Sequence, residues 1–314
     1  MSLLTVDKVS AKHGDDFLLQ EISFRQEAGQ RLAIVGETGS GKTTLMRIVG
    51  GMGQAGSGEV RFEGKLVPGI YEKLIPGHKG IAYLSQQYDL RDRYRVAELL
   101  SYANNLTDEA SEELYRLCRV DHLLQRWSHT LSGGEKQRVA LAKLLTEKPR
   151  LLLMDEPFSN LDQIHKLQLK NVLDDIGARF DLTYMMISHD GADILPWADE
   201  VLVLQGGGLV AQGTPQALYQ QPGTAYVAGL FGRYNDLSPD LAAALRLPVG
   251  VSPYLRPAQL QLGAEGLPAR VLRSLYYGSY YELELQLGQE RLWVCHPGAV
   301  EPGQEVYLSL SDLP

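Results

Sequence analysis

The sequence is poor in cysteine and contains no long hydrophobic run. Cys118 and Cys295 are too few and too far apart for a disulfide framework or a cysteine metal site, so we interpret both as packing residues. The longest apolar runs are as short as residues 151–154, whereas a helix that crosses a bilayer needs about 20 apolar residues. The first residues also lack the basic start and apolar stretch of a signal peptide. We therefore expect a cytosolic protein.

Positive charge is also scarce. The chain has 30 Lys and Arg residues and 38 Asp and Glu residues, which gives a formal net charge of -8. An acidic chain repels the phosphate backbone, so wholesale binding to nucleic acid is not expected. The chain has 314 residues, of which 44% are hydrophobic, and this favours two domains, each with its own core.

The segment GETGSGKTT, residues 36–44, is the centre of the sequence. It follows the apolar residues 31–35 and precedes a helical pattern, which predicts a strand, a glycine-rich loop and a helix. Glycines at 36, 39 and 41 let successive N–H groups face one concavity, at the positive end of the helix dipole. Such a concavity suits a polyphosphate. The alternative is a glycine-rich turn that caps an ordinary strand–helix unit.

Every residue of this loop is a candidate nucleotide contact. Lys42 would place its charge on the β- and γ-phosphates, and the Thr43 hydroxyl would ligate Mg²⁺. Thr44 would donate to the α-phosphate. The predicted contacts are Gly36, Glu37, Thr38, Gly39, Ser40, Gly41, Lys42, Thr43 and Thr44.

A second glycine pair occurs in LSGGEKQ, residues 131–137. Ser132 with Glu135 three residues later matches a capping box, so a helix should begin here. Gly133 and Gly134 leave bare N–H groups at the first turn, which favours a second anionic partner. The alternative is a well-capped helix without a ligand.

Two carboxylates end the apolar segment LLLMDEP, residues 151–157. Because buried carboxylates need a nearby cation, we predict that Asp155 holds the Mg²⁺ and that Glu156 acts as the general base on an attacking water, an effect typically worth ~10²- to 10⁴-fold. The alternative is an acidic pair that caps a helix. Another short strand ends at Gln86. A lone histidine is usually a surface or core residue, but His189 follows the end of a further apolar strand, a position that points to the crevice of the phosphates.

These motifs together resemble an ATP-binding-cassette ATPase. By this resemblance, residues 36–44 are the Walker A loop, Gln86 is the Q-loop glutamine, residues 131–137 are the signature, residues 151–157 are Walker B, residues 159–162 are the D-loop and His189 is the H-loop switch. The resemblance implies an α/β fold: a P-loop NTPase (RecA-like) core with an antiparallel β subdomain and a helical subdomain at about 88–130. Residues 3–35 are expected to form a small sheet before the loop.

The resemblance also implies a head-to-tail dimer. ATP held by Lys42 of one copy would be capped by Ser132, Gly133 and Gly134 of the other copy. His189 would hold the γ-phosphate and the attacking water, and Gln86 would touch both the Mg²⁺ and the transporter. The implied catalytic residues are Lys42, Gln86, Glu156 and His189, and the implied metal ligands are Thr43, Gln86 and Asp155.

The adenine contact differs from the family pattern. In relatives, an aromatic residue before a glycine of the first hairpin stacks on the base, and here that place is taken by His13 before Gly14. A neutral imidazole stacks less well than tyrosine, and Phe17 is the alternative. We predict His13.

The C-terminal part resembles that of importers for maltose, ferric iron, polyamines and molybdate. Residues 254–257, YLRP, are similar to the "RPE" stretch of these proteins, with Ala258 in place of the acid. Short alternating segments between 268 and 311 predict a small all-β OB-type barrel. The implied domains are a nucleotide-binding domain, 1–232, and a transport-associated domain, 236–314.

The resemblance favours the ATPase of an importer for a small solute or ion. This implies a homodimer at the cytoplasmic face of the membrane, bound to permease subunits and served by an external solute-binding protein. Residues 88–95 would lie at the permease groove, unless they form a solvated loop. One alternative is a soluble ATPase that acts on nucleic acid or ribosomes, although five Arg against nine Asp and Glu from residue 236 onward disfavour it. The other is the ATPase of an exporter.

Overall fold

The computed structural model describes residues 2–13, 16–85, 90–102, 104–159 and 161–311. The chain divides into two compact units, Met1–Gln212 and Gly213–Pro314. The sequence instead places the boundary between residues 232 and 236, and that boundary stays a prediction. Among the described residues, no helix combines the length and the apolar character that crossing a membrane requires.

The first unit begins with an antiparallel sheet of strand order β2-β1-β4-β5. Its strands are β1 (Ser2–His13), β2 (Asp16–Glu27), β4 (Ser57–Phe62) and β5 (Lys65–Leu66). Residues 3–13 and 16–27 belong to this sheet, as the sequence predicts. The assignment of residues 31–35 to it is wrong, because β3 (Arg31–Val35) pairs in parallel with strands of a second sheet.

The second sheet has six strands in the order β10-β9-β3-β8-β7-β6. Its remaining strands are β6 (Ile81–Leu84), β7 (Leu151–Asp155), β8 (Thr183–Ile187), β9 (Glu200–Gln205) and β10 (Gly208–Gly213). Strands β6, β7, β8, β3 and β9 are paired in parallel. Parallel strands are covered on both faces, which explains the continuous apolar runs of β3, β7 and β8.

Alternate residues of these strands enter two different cores. Leu152 and Met154 of β7 pack into the core on one face, and Leu151 and Leu153 pack into the core on the other face. This follows from the two-residue period of a strand. The second of these cores also holds the buried face of α1 (Lys42–Val49).

Helices cover the first core, namely α2 (Val96–Ser101), α3 (Asp108–Leu117), α4 (Gly133–Leu145) and α5 (Gln163–Phe180), with a short 3-10 helix at Asp121–Leu123. The first unit also contains α6 (Gly191–Ile194) and a 3-10 helix at Ser128–Thr130. Val96, Leu100 and Leu114 pack with Leu141 of α4 in this core. The helical subdomain predicted at about 88–130 therefore contains helices in its described part.

The second unit contains a five-stranded antiparallel sheet of order β13-β17-β14-β15-β16. Its strands are β13 (Leu260–Gly263), β14 (Leu267–Tyr276), β15 (Tyr281–Leu287), β16 (Glu290–His296) and β17 (Glu305–Leu310). The two ends of this order, β13 and β16, also lie close together, as in a barrel. The alternating segments predicted between 268 and 311 are confirmed as strands. The remaining elements are α7 (Pro215–Gln220), α8 (Ala225–Leu230), α9 (Pro239–Ala244), a 3-10 helix at Pro257–Gln259 and the short pair β11 (Asn235–Asp236) and β12 (Tyr254–Leu255).

Arg256 of the "RPE"-like stretch holds the second unit together. Its side chain is 1% exposed and donates to the carbonyl oxygens of Tyr219 at 2.9 Å and Ala228 at 2.9 Å. The guanidinium also lies over the Tyr219 ring, 4.3 Å from its centroid. Arg256 therefore ties α7 and α8 to the β-sheet region, a structural role that needs no carboxylate at position 258.

Candidate functional site

The carboxyl ends of neighbouring parallel strands bring the predicted residues together. β3 ends at the phosphate loop, β7 ends at Asp155, and β8 is followed by Ser188 and His189. In the register of β7 and β8, Asp155 lies opposite Ile187. Ligands bind to open α/β sheets at this edge.

Glycines give the phosphate loop its shape. Gly36, Gly39 and Gly41 have φ angles of 153°, 86° and 95°. A Cβ atom on Gly41 would lie 2.5 Å from the carbonyl oxygen of Leu18, so a side chain at this position is sterically excluded. The backbone curl predicted from the three glycines is confirmed. Gly41 precedes α1 and has no side chain to cap it. The first N–H groups of the helix therefore remain available at the loop.

The other predicted loop residues differ in accessibility. Glu37 and Thr38 are exposed at the tip of the loop, whereas Ser40 is buried beneath it. Thr43 and Thr44, in the first turn of α1, are half-buried. The loop thus offers both backbone and hydroxyl donors at its open side.

The Lys42 ammonium lies inside the loop. Its Nζ donates to the carbonyl oxygens of Gly36 at 2.8 Å and Glu37 at 2.7 Å, and the residue is 8% exposed. Burial lowers the pKa of Lys42, although the carboxylates of Glu156, Asp155 and Glu37 act in the opposite direction. The ammonium is held by neutral carbonyl acceptors, which the charged oxygens of a phosphate would replace with stronger hydrogen bonds.

Asp155 receives one hydrogen bond on each carboxylate oxygen. Oδ1 accepts from the Thr43 hydroxyl at 3.3 Å, and Oδ2 accepts from the Tyr83 hydroxyl at 2.8 Å. Burial, and then the hydrogen bond to Asp155, raises the pKa of Tyr83, so its phenol stays a donor. The following helix, α5, is capped by Asp162, so another residue fills the capping role that the sequence left open for the acidic pair.

Glu156 lies next to His189. The Glu156 backbone has a φ of 50°, an uncommon value for a residue with a side chain, and its N–H donates to the Ile187 carbonyl at 3.0 Å. Glu156 Oε1 is 3.4 Å from His189 Nδ1. The predicted base and the predicted γ-phosphate contact, which follow different strands, are thus neighbours. Backbone conformations of this kind occur preferentially at functional sites.

A cavity of about 360 Å³ opens beside this pair. One of its walls is a lysine–aspartate network. Lys166 Nζ lies 2.9 Å from Asp190 Oδ2 and 2.6 Å from Asp193 Oδ1, and Lys170 Nζ lies 3.0 Å from the same Asp193 oxygen. Because Asp190 directly follows His189, the network fixes the chain next to His189.

The capping box predicted at the signature is confirmed. The Glu135 N–H donates to Ser132 Oγ at 3.3 Å, and the Ser132 N–H donates to Glu135 Oε2 at 2.7 Å. Ser132 and Gly133 are exposed, whereas Gly134 is buried, and a Cβ on Gly134 would lie 2.9 Å from His165 Cδ2. Among the contacts described within one copy, none joins Ser132 to the phosphate loop.

Four predictions fall outside the described residues in whole or in part. Gln86 and Asn160 lie there, and so do the side chain of His13 and residues 88 and 89 of the predicted permease groove. Phe17, the alternative adenine contact, is 52% exposed, and Lys12 Nζ lies 4.2 Å from the centroid of its ring. The roles of Gln86 and His13 stay predictions.

Comparison with known proteins gives two family matches. The family described as "ABC transporter" matches residues 19–159, and the "TOBE domain" matches residues 254–312. The chain is 34% identical over 255 residues to the glucose import ATP-binding protein GlcV of Saccharolobus solfataricus, covering 77% of this chain and 72% of that protein. It is 33% identical over 279 residues to the Fe(3+) ions import ATP-binding protein FbpC of Pseudomonas fluorescens, covering 85% and 78%. It is also 31% identical over 317 residues to the sulfate/thiosulfate import ATP-binding protein CysA 1 of Chromobacterium violaceum, covering 92% and 87%.

Solved structures share the fold of the first unit. A nucleotide-free ATP-binding cassette from an ABC transporter superposes with a TM-score of 0.64 at 22% identity, covering 74% of this chain and 99% of that chain. The cbiO1 protein of Clostridium perfringens gives a TM-score of 0.63 at 24% identity, covering 69% and 90%. The predicted fold class is confirmed: a P-loop NTPase core with an antiparallel β subdomain and a C-terminal all-β domain. Because the family match spans the loop of Lys42 and the strand of Asp155, and because GlcV is matched over 72% of its length, the chain belongs to the ATP-binding ATPases of the ABC transporter family.

Proposed function

We propose that this protein is the ATP-hydrolysing subunit of an ABC importer for a small solute or ion. One observation carries the proposal: Lys42, Asp155, Glu156 and His189 converge at the carboxyl ends of adjacent strands. This set supplies a phosphate ligand, a metal ligand, a base and a γ-phosphate contact. The matched relatives are named as import proteins for glucose, ferric ions and sulfate or thiosulfate, which supports import.

The oxygen donors at Asp155 fit an Mg²⁺ ion that arrives with the nucleotide. The Asp155 carboxylate and the Thr43 hydroxyl lie 3.3 Å apart, and hard oxygen donors are the ligands that Mg²⁺ prefers. The described residues contain no group of three or more His, Cys, Asp or Glu side chains that could hold a metal alone. Asp155 and Thr43, with Gln86 as the third predicted ligand, would therefore share the ion with ATP phosphates. When bound, the ion neutralises phosphate charge.

Different residues of this chain have different roles in hydrolysis. The loop N–H groups and Lys42 orient the triphosphate, and the Glu156 carboxylate accepts a proton from the attacking water. His189, which lies 3.4 Å from Glu156, would donate to the γ-phosphate. We infer that the catalytic set is Lys42, Gln86, Glu156 and His189.

The exposed signature supports a dimer. Ser132 and Gly133 are exposed at the start of α4, where the Ser132 hydroxyl and the backbone of the first turn face solvent. The second copy would bind the γ-phosphate with these groups, so the terminal phosphate charge holds the two copies together and its loss releases them. Closure of the dimer on ATP, and its opening after hydrolysis, would thereby perform mechanical work on a permease.

We infer that residues 1–232 form the nucleotide-binding domain and residues 236–314 the transport-associated domain. The TOBE match at 254–312 supports the second assignment. The partners would be a second copy, permease subunits and, through the permease, an external solute-binding protein. The protein would act as a peripheral protein at the cytoplasmic face of the membrane, with residues 88–95 at the permease groove.

Replacing Ser132 by Arg tests the dimer. The bulky cation should spare ATP binding to one copy and block closure, so hydrolysis should fall by about 100-fold, the effect of losing one transition-state donor. ATP binding is measured by fluorescence titration and turnover by phosphate release. Gln125→Arg is the control, because it adds the same side chain to a nearby exposed position. Hydrolysis by Ser132→Arg at the control rate would contradict the dimer site.

Purification of the protein with its membrane partners tests the importer assignment. The full chain, tagged and extracted in mild detergent from its native cells, is expected to carry integral-membrane permease subunits with it. Mass spectrometry identifies them, and an external solute-binding protein with its cargo should raise the ATPase rate of the complex. Retention of ribosomes or nucleic acid, without any permease, would instead support the soluble alternative.

A further inference from the structure

Tyr83 carries a hydroxyl at a position where the strand itself requires only an apolar side chain. It lies on β6 opposite Leu153 of β7, two residues before Asp155, and it is the half-buried member of the otherwise buried strand Ile81–Leu84. Its phenol reaches across to the neighbouring strand and donates to Asp155 Oδ2 at 2.8 Å. An aliphatic residue would serve the core equally well at this point. The hydroxyl therefore calls for a separate explanation.

The hydrogen bond fixes one carboxylate oxygen of Asp155. Because Asp155 is 8% exposed, water is largely excluded from the carboxylate, and each oxygen depends on protein donors. The Tyr83 hydroxyl donates to Oδ2, so Oδ1 points towards Thr43 and accepts from the Thr43 hydroxyl at 3.3 Å. The two side chains together set the plane of the carboxylate.

Arg47 of α1 lies near the same phenol, and its charge lowers the pKa of Tyr83, against the larger effects of burial and of the hydrogen bond to Asp155. Arg47 and Tyr83 line a cavity of about 460 Å³, together with Leu90, Lys143 and Leu144. The hydrogen bond from Tyr83 to Asp155 therefore connects this cavity with the phosphate site.

We propose that Tyr83 is a positioning residue that orients the Asp155 carboxylate for the divalent cation of bound ATP. This inference rests on the proposed binding of Mg²⁺ with ATP. Removing such an outer hydrogen bond typically costs about 10- to 100-fold in metal affinity. The nucleotide itself is held by the loop and by Lys42, so its metal-free affinity does not depend on Tyr83.

Tyr83→Phe tests the proposal by metal binding rather than by turnover. The full-length variant, saturated with a non-hydrolysable ATP analogue, is titrated with Mn²⁺, and free Mn²⁺ is quantified by its EPR signal. We expect the dissociation constant for Mn²⁺ to rise by about tenfold. Binding of the analogue in EDTA, measured by calorimetry, should be unchanged.

Tyr184→Phe is the matched control. Tyr184 also lies in the parallel sheet and also loses a buried phenolic hydrogen bond, to the Leu173 carbonyl at 2.9 Å, but it has no described contact with Asp155. Its Mn²⁺ affinity should equal that of the wild type. A double variant with Asp155→Asn completes a double-mutant cycle. Tyr83→Phe should lower the Mn²⁺ affinity little further once the Asp155 carboxylate is absent.

An unchanged Mn²⁺ affinity in Tyr83→Phe, or an equal loss in Tyr184→Phe, would overturn the proposal. Thermal unfolding by circular dichroism shows whether Tyr83→Phe folds. If it does not fold, Tyr83→Leu, which keeps an apolar side chain on β6 and also lacks the hydroxyl, takes its place, and an unchanged Mn²⁺ affinity there would overturn the proposal equally. Failure of the proposed function gives a different result, since the wild type itself would then bind no metal–nucleotide complex.

Discussion

Glu156→Gln is expected to keep ATP bound while hydrolysis falls by about 10²- to 10⁴-fold, the usual contribution of a general base. The amide has nearly the same shape as the carboxylate, but it cannot accept the proton of the attacking water. The substitution also removes a negative charge close to the place of the γ-phosphate, so ATP affinity should not fall. Phosphate release and nucleotide binding are measured separately.

The same variant should accumulate as a dimer in ATP. If the terminal phosphate holds two copies together, a variant that binds ATP without cleaving it stays closed. Size-exclusion chromatography with light scattering is expected to show a dimer with Mg²⁺ and ATP and a monomer with ADP. The positive φ of Glu156 and its hydrogen bond to Ile187 involve the backbone, so glutamine can adopt the same conformation.

Glu113→Gln provides the control for this experiment. It makes the same chemical change at a surface glutamate of α3, which pairs with Arg179 at 2.6 Å. An exposed ion pair of this kind contributes little, so hydrolysis should be close to that of the wild type. A Glu156→Gln variant that turns over near the wild-type rate, or stays monomeric in ATP, would contradict the assignment of the base.

The parts of the site that the sequence predicts are those set by local chemistry. Glycines at 36, 39 and 41 are required by the backbone angles of one short loop, and the Ser132–Glu135 capping box spans a single helical turn. Both signals are contained in a few consecutive residues, so no knowledge of the distant chain is needed. The prediction for Asp155 and Glu156 is local in the same way, because two carboxylates at the end of an apolar strand are costly without a cation.

The parts that the sequence did not reveal depend on pairing between distant segments. The hydrogen bond from Tyr83 to Asp155 joins residues 72 positions apart and exists only because β6 lies beside β7. Lys166 and Asp190 meet in the same way across two helices. A tyrosine or lysine has no local pattern that distinguishes such a contact from ordinary packing.

The wrong assignment of residues 31–35 to the antiparallel sheet has a similar cause. The spacing of residues 31–35 fits a strand in either sheet, and proximity along the chain favours the antiparallel one. The parallel arrangement is decided by β8 and β9, which follow more than a hundred residues later and cover both edges of β3. In the second unit, the alternating segments indicate the strands, whereas the order of the strands in the sheet depends on pairing between distant segments.

Lys42→Ala is expected to lower ATP affinity by at least about 100-fold. A hydrogen bond to a charged group contributes about 1.5–3 kcal/mol, and Lys42 would donate to two phosphates, so a loss of about 3 kcal/mol is a conservative figure. Alanine keeps the helix and adds no bulk beside Gly41. The change is measured by titration with a fluorescent ATP analogue, and hydrolysis should be lost with it.

Two further variants separate charge from position. Lys65→Ala removes a charge from the exposed strand β5 and should leave ATP affinity unchanged, because a surface charge outside the site is screened. Lys42→Arg keeps the charge but places a broad planar group where Nζ now fits between the carbonyl oxygens of Gly36 and Glu37, at 2.8 Å and 2.7 Å. If charge alone bound the phosphates, the arginine would restore affinity. We expect it to recover only a small part, because the loop closes around a single ammonium, and full recovery would show that the geometry of the loop is not what selects lysine.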